Sequence, residues 1–274
     1  MKKIKLISLI LVLSMLTACG PRRAEAEVTT TEEIVAENSG KDNYRDPNED
    51  IPKYEIKEEV ATSGEAVEET AGIQEFNGIN PDEYDGSPYV IINNDMPYFT
   101  EDMLTTENYR DYGTLDSLGR TTRTILVTSR EMLPEGDRGE IGHIKPSGWH
   151  QNKYEGLVDS EPPYVLNRAH LGMWALIGDE SNIQENLISG TRYFNTEGML
   201  PNETIVLNFV KSSNMHILYR VTPYYRGDNL FADGVLMEAI SVEDKGESLH
   251  LCRWAFNVQP GVVFDYATGE NHAE

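Results

Sequence analysis

Cysteine is almost missing from this chain: two occur in 274 residues, Cys19 and Cys252. If the first is used up in export, no intramolecular disulfide remains, and the fold must rest on its apolar core. Long apolar runs are missing too. The one near the amino terminus is too short and too one-sided in its flanks for a membrane span. No internal repeat is evident, so a solenoid or propeller is not expected. Basic residues are scarce, 23 Lys and Arg against 46 Asp and Glu, for a formal net charge of −23. At first sight that argues against a polyanionic ligand.

What is present begins with MKKIKLISLILVLSMLTACG. Lys2, Lys3 and Lys5 form a positive region, an apolar stretch follows, and small residues precede Cys19, which is the pattern of an export signal. The LTAC ending resembles the lipobox of bacterial lipoproteins. That resemblance implies a signal peptide over 1–19, lipid on Cys19, and an extracytoplasmic protein anchored to the cell membrane. Residues 20–75 follow as a tether. From Pro21 to Glu75 there are 16 acidic and 6 basic residues and few large apolar ones, a composition that cannot build a core and whose self-repulsion extends the chain.

The folded domain is expected over 76–274. TRTILVTSR (Thr122 to Arg130) is β-branched and reads as a strand. SNIQENLISGTRYFN offers Ser181 as an N-cap and Ile183, Leu187 and Ile188 at helical spacing, so a short helix is expected there. TIVLNFVKSS fits either period, and helix is preferred. HILYRVTPYY, GVLMEAISVE and LHLCRWAFNV alternate apolar and polar residues, with RGDN and DKGE between them as turns, and Cys252 reads as a buried strand residue. Strands on both sides of a helical stretch, without βαβ alternation, predict an α+β domain with a central antiparallel sheet flanked by helices.

The charge is unevenly spread. Gly119 to Asn195 carries 8 basic and 10 acidic residues, whereas the domain from Phe76 onward carries 14 and 30. A phosphate-bearing ligand would therefore go to the middle segment, with Arg120, Arg123 and Arg192 among its candidate contacts, together with Arg130, Lys145 and Arg168.

Within that segment lies NRAHLGMWALIG, Asn167 to Gly178. Phosphodiester hydrolysis needs a base to activate water, cations for the phosphate, and a metal or acid for the leaving oxygen. His170 can be the base and Arg168 a phosphate clamp. Mg²⁺ keeps most of its waters and takes one or two side-chain oxygens, for which Asn186 and Asn195 are candidates. The residues alone permit these roles without excluding the plainer ones, a packing histidine and a solvated asparagine.

NRAHLGMWALIG, ENLISGTRYFN, MLPNE, YRVTPYY, GVLMEA and FNVQPGVVFDYATG, in that order, resemble the DNA/RNA non-specific endonuclease family, the ββα-metal or His-Me finger nucleases, and within it the secreted and surface nucleases of Gram-positive bacteria. The likeness runs from about Leu115 to Gly269. It implies a ββα-metal motif, endonuclease action on DNA, with RNA left open, and 5′-phosphate products. Mg²⁺ is the implied cofactor, with Mn²⁺ as an alternative. Carried across, the family's signature Asp-Arg-Gly-His puts the general base on His170 and its arginine on Arg168. The metal asparagine falls on Asn186, a second active-site asparagine on Asn195, and an acidic residue assisting at the metal on Glu203. The signature is altered twice, with Asn167 for aspartate and Ala169 for glycine. Asparagine loses the charge, and alanine is tolerable only where no positive φ is required. The alternative these changes leave open is a catalytically degenerate surface nucleic-acid-binding lipoprotein of the same fold.

Overall fold

GVLMEAIS is buried at all eight positions, as a central strand covered on both faces must be. In the computed structural model, which describes residues 84–136 and 139–274, this strand is the seventh. The signal over 1–19, Cys19, the tether over 20–75 and the domain's expected first residues lie outside the described residues. The strands are β1 (Tyr89–Ile91), β2 (Tyr109–Tyr112), β3 (Thr124–Thr128), β4 (Leu166–His170), β5 (Leu187–Thr191), β6 (Ile217–Tyr224), β7 (Gly234–Ser241), β8 (His250–Phe256), β9 (Val262–Phe264) and β10 (Asn271–Ala273). Six of them form one antiparallel sheet in the order β1-β8-β7-β6-β3-β2, while β4 with β5 and β9 with β10 make two separate hairpins. The helices are α1 (Trp174–Ile177) and α2 (Leu200–Ser212). The α+β expectation and its antiparallel meander are therefore met. No helix among the described residues is long and apolar enough to cross a membrane.

The alternation along the meander assigns each face of the sheet a partner. Tyr219, Val221, Val235, Met237, Ala239, Leu251 and Ala255 point to one side, where they pack with Val206, Leu207 and Val210 of α2 and with Ala169 and Ile188 of the β4–β5 hairpin. The intervening residues point to the other side, where Leu218 and Ile240 meet Phe99, Met103 and Leu104, and Leu236, Cys252 and Trp254 meet Ile92 and Tyr98. A buried ion pair sits on that second face. Glu238 is fully buried and binds the Arg220 guanidinium through both oxygens, at 2.7 and 2.9 Å. It also accepts from the Tyr98 backbone N–H at 2.9 Å, so the charges are satisfied as a set. Cys252 is wholly buried on β8, and desolvation, with the nearby Glu238 and Asp95 charges, pushes its thiol well above the ordinary range. It has no nucleophile's environment.

One expected element differs. The helix predicted over SNIQENLISGTRYFN is a single 3₁₀ turn, Gln184–Asn186, followed directly by the fully buried strand β5. Ser181 caps nothing and donates its hydroxyl to the Gly178 carbonyl at 2.7 Å. The apolar spacing of Ile183, Leu187 and Ile188 fits a helix, but pairing with β4 and burial on both faces override it. α2 is helical as expected. It is entered through a π-type turn, Phe194–Met199, in which the Leu200 N–H bonds back to the Asn195 carbonyl.

Gly190 shows how tightly β5 packs against its partner strand and the turn that enters that helix, since a Cβ there would fall 2.7 Å from a Phe194 ring carbon and 2.8 Å from the Ala169 methyl. Overpacking of that kind costs about 1–3 kcal/mol. Gly190→Ala is expected to lower the melting temperature by about 2–4 °C per kcal/mol lost, read by calorimetry, and an unchanged Tm would show the contact to be slack.

Candidate active site

The β4–β5 hairpin carries the site. Its antiparallel register pairs Leu166 with Thr191, Arg168 with Ser189 and His170 with Leu187. Strand alternation then puts Arg168 and His170 on one face and Asn167 and Ala169 on the other. His170 ends β4 and is only 7% exposed, and its Nε2 lies 3.0 Å from Asn182 Oδ1. The Asn182 amide donates in turn to Asp179 Oδ1 at 3.1 Å, an oxygen that also accepts from Trp174 Nε1 at 2.9 Å and the Gly139 N–H at 2.9 Å. Asn182 and Asp179 were not singled out from the sequence. Nothing in GDESN marks them as more than turn residues.

Arg168 is already engaged. It donates to the carbonyls of Ile144 at 2.5 Å and Gly142 at 2.6 Å, and its guanidinium lies 4.3 Å above the centre of the Trp149 ring. The arginine that the sequence offered as a phosphate clamp therefore ties the loop around residues 142–149 to the strand that carries the base.

The metal role expected for Asn186 does not survive. Its side chain is fully buried. Oδ1 accepts from Thr124 Oγ1 at 2.7 Å and the Gly172 N–H at 2.8 Å, and Nδ2 donates to the Gly172 and Ser181 carbonyls, both at 2.9 Å. With both lone pairs and both protons used, the carboxamide has nothing left for a cation. It closes the chain immediately after His170, helped by the Leu171 N–H to Asn186 carbonyl bond at 2.9 Å.

Asn195 stands differently. It lies half-buried in the turn that follows β5, and no described residue hydrogen-bonds its carboxamide. Glu203, also half-buried, follows in the first turn of α2. Eight residues of regular α-helix would leave these two about 80° apart around the axis. The π-type turn between them takes up one extra residue, and so brings them round to nearly the same face. Glu203 lies close enough to the buried Tyr219 that its charge, after desolvation, raises that phenol's pKa further above the ordinary value.

The remaining cations divide. Arg120 is spent on Asp116 at 2.7 Å and on the Gly227 and Asn229 carbonyls at 2.7 and 2.8 Å, with its guanidinium over Tyr225, so its expected phosphate contact gives way to a structural one. Arg123 forms a half-exposed pair with Asp111 at 2.7 Å. Arg130 and Lys145 are exposed. Arg192, just before the helical turn, has a buried Nε with no hydrogen-bond partner. Of the two signature changes, Ala169 lies in a strand and not at positive φ, buried against the core, so its methyl costs no backbone strain. Asn167 leaves its amide nitrogen buried without a partner.

This arrangement of hairpin, terminal histidine and following helix is what the family resemblance implied, and the chain belongs to the DNA/RNA non-specific endonuclease family, whose model matches residues 100–243. It is thus a nuclease, a hydrolase of nucleic acids. Among solved structures it is similar to NucA from Streptococcus agalactiae. The form without metal gives a TM-score of 0.58 and the magnesium-bound form 0.60, each at 23% identity over 69% of this chain and 88% of that one. The zinc-bound Sda1 nuclease gives 0.50 at 22% identity, over 61% and 82%. At these identities the likeness speaks for the fold. No curated protein gave a sequence match.

Because Asn186 is spent within the fold, its replacement should show in stability rather than in metal affinity. Asn186→Ala strands two buried acceptors and two donors, each costing about 1–3 kcal/mol when left unmade. A sharply lowered Tm is expected, with an unchanged Mg²⁺ half-saturation for whatever fraction folds. A stable variant with a raised metal requirement would restore the ligand role.

Proposed function

We propose that the protein is an exported, lipid-anchored endonuclease that uses Mg²⁺, with Mn²⁺ as a substitute, to hydrolyse DNA with little sequence preference and to leave 5′-phosphate ends. RNA is the second substrate to test. The observation that carries the reading is a nearly buried His170 with one ring nitrogen held by Asn182, on a hairpin that runs directly into a helix bearing the uncommitted Asn195.

Among the described residues no three His, Cys, Asp or Glu side chains come together as a metal cage. A donor set of one carboxamide and one carboxylate suits a hard cation that keeps most of its waters, which is the habit of Mg²⁺. Asn195 would ligate it, and Glu203 would ligate it or hold its waters. Bound there, Mg²⁺ supplies charge neutralisation for the phosphorane-like transition state and the leaving 3′ oxygen. The chain does the rest. His170 takes the proton of the attacking water. Arg192, half-buried beside the turn that carries Asn195, contacts the phosphate through the outer nitrogens of its guanidinium, Arg123 can exchange Asp111 for a phosphate, and Arg168 holds the neighbouring loop in place. Contacts of this kind are to sugar and phosphate and carry no base information.

Cleavage of plasmid and of RNA by the folded domain, with Mg²⁺ and then with EDTA, tests the reading. His170→Ala is expected to lose about 10²–10⁴-fold in turnover while still binding DNA. The wild-type rate should fall on acidification, because a protonated imidazole cannot accept a second proton. Asn195→Ala should raise the Mg²⁺ half-saturation and recover in part at high metal, since a water can replace one neutral oxygen ligand. Turnover near wild type in His170→Ala would return that histidine to a packing role.

The proposed anchor has its own test. Metabolic labelling with a clickable fatty acid should mark the wild type and not Cys19→Ser, and equal labelling of both, or none of either, would remove lipid from the account.

A further inference from the structure

Neither the family nor the proposed chemistry says how the His170 ring is kept in the form that can act as a base, and the residues behind it do. The structure assigns Asp179 as the positioning residue that sets the His170 tautomer by way of Asn182. This rests on the reading of His170 as the base.

A carboxylate can only accept hydrogen bonds. Asp179 Oδ1 lies 3.1 Å from the Asn182 side-chain amide, so the atom of Asn182 facing it is the NH₂ group, and the carboxamide cannot be turned over. Its other end, Oδ1, then faces His170 Nε2 at 3.0 Å as an acceptor only. Nε2 must carry the proton, and in the neutral ring the lone pair falls on Nδ1. A single carboxylate therefore determines, through one amide, which nitrogen of the ring can take a proton from water. The carboxylate is itself well placed. Trp174 Nε1 and the Gly139 N–H both donate to the same oxygen at 2.9 Å. The neighbouring Glu180 is paired with Arg110 of β2, which ties the turn to the edge of the sheet. Gly139 has no side chain where one would press on the carboxylate, since a Cβ there would lie 3.0–3.2 Å from its atoms.

The alternative is that Asp179 merely pins the turn and the 139 loop. The two differ in what the ring reports. ¹⁵N chemical shifts of His170 in the full chain labelled on histidine should show a protonated Nε2 in the wild type. In Asp179→Ala the amide is released, and the shifts should move toward a mixture of tautomers. Turnover should fall by about 10- to 100-fold, the size of effect seen when the partner that orients a metal-bound histidine is removed, while KM for DNA and the Mg²⁺ half-saturation stay within about twofold. Asp179→Asn keeps an oxygen acceptor and should restore the wild-type tautomer and most of the rate. On an Asn182→Ala background, Asp179→Ala should cost little more, because the effect runs through the amide. If Asp179→Ala does not fold, Asn182→Ala breaks the same chain at a partly exposed residue and should show the same shifts and the same loss. Wild-type tautomer and turnover in either single variant overturn the assignment. An inactive wild type with the Nε2–H ring intact would instead reject the nuclease reading and leave the hydrogen-bond chain standing.

Discussion

Everything around the site depends on one buried carboxamide. Asn186 stitches the residues just after His170 to the end of the same connection and to Thr124 on the central sheet. Without it the segment from Leu171 to Gln184 would lose three of the hydrogen bonds that close it between β4 and β5. Gly172 shows how tight the closure is, since a Cβ there would lie 2.6 Å from Ile177 and 2.8 Å from Thr124. Buried polar groups of this kind are costly when half satisfied and rigid when complete. Here the set is complete, and the histidine at the strand's end inherits that rigidity.

The sequence made the framework readable wherever period and burial agreed. TILVT, the three meander strands and α2 fall where their patterns place them, because β-branched and apolar residues suit strands that a helix covers on one face and a covering segment on the other. It misled at Leu187 to Thr191, where apolar residues at helical spacing lie in a two-stranded ladder. Local pattern cannot report a partner strand some twenty residues away. The same limit governed the site. His170, Asn195 and Glu203 were singled out from their motifs and are the residues proposed for the site. Asn186 and Asn195 carry identical chemistry in the sequence, and only burial separates a carboxamide with four bonds from one with none. Asn182 and Asp179 were invisible for the converse reason: a turn residue becomes a partner of a histidine only once the chain has folded back to it.

The arginines teach a related point about charge. Counting placed the cations of the middle segment opposite a phosphate, yet Arg120 and Arg168 spend their donors on carbonyls and a carboxylate of their own chain. A guanidinium's five N–H groups suit it to bracing loops as well as to gripping phosphate. What remains for a ligand is narrower than the composition suggests, and the domain's excess of acid lies elsewhere. Attraction for a polyanion must therefore be local, supplied by a few residues and a cation rather than by a broad positive field.

The buried pair of Glu238 and Arg220 has a bearing on where the cooperative unit ends. The family model matches from residue 100 to residue 243, but the pair is sealed by Tyr98, which lies before that region, and the edge of β7 is covered by β8, which lies after it. A fragment trimmed to the shared region would open two ionised groups to water on one side and lay bare the backbone edge of an eight-residue apolar strand on another. Exposed edges of that length recruit other chains. In this molecule the region that the family model matches and the unit that packs as one sheet are different lengths of the same polypeptide.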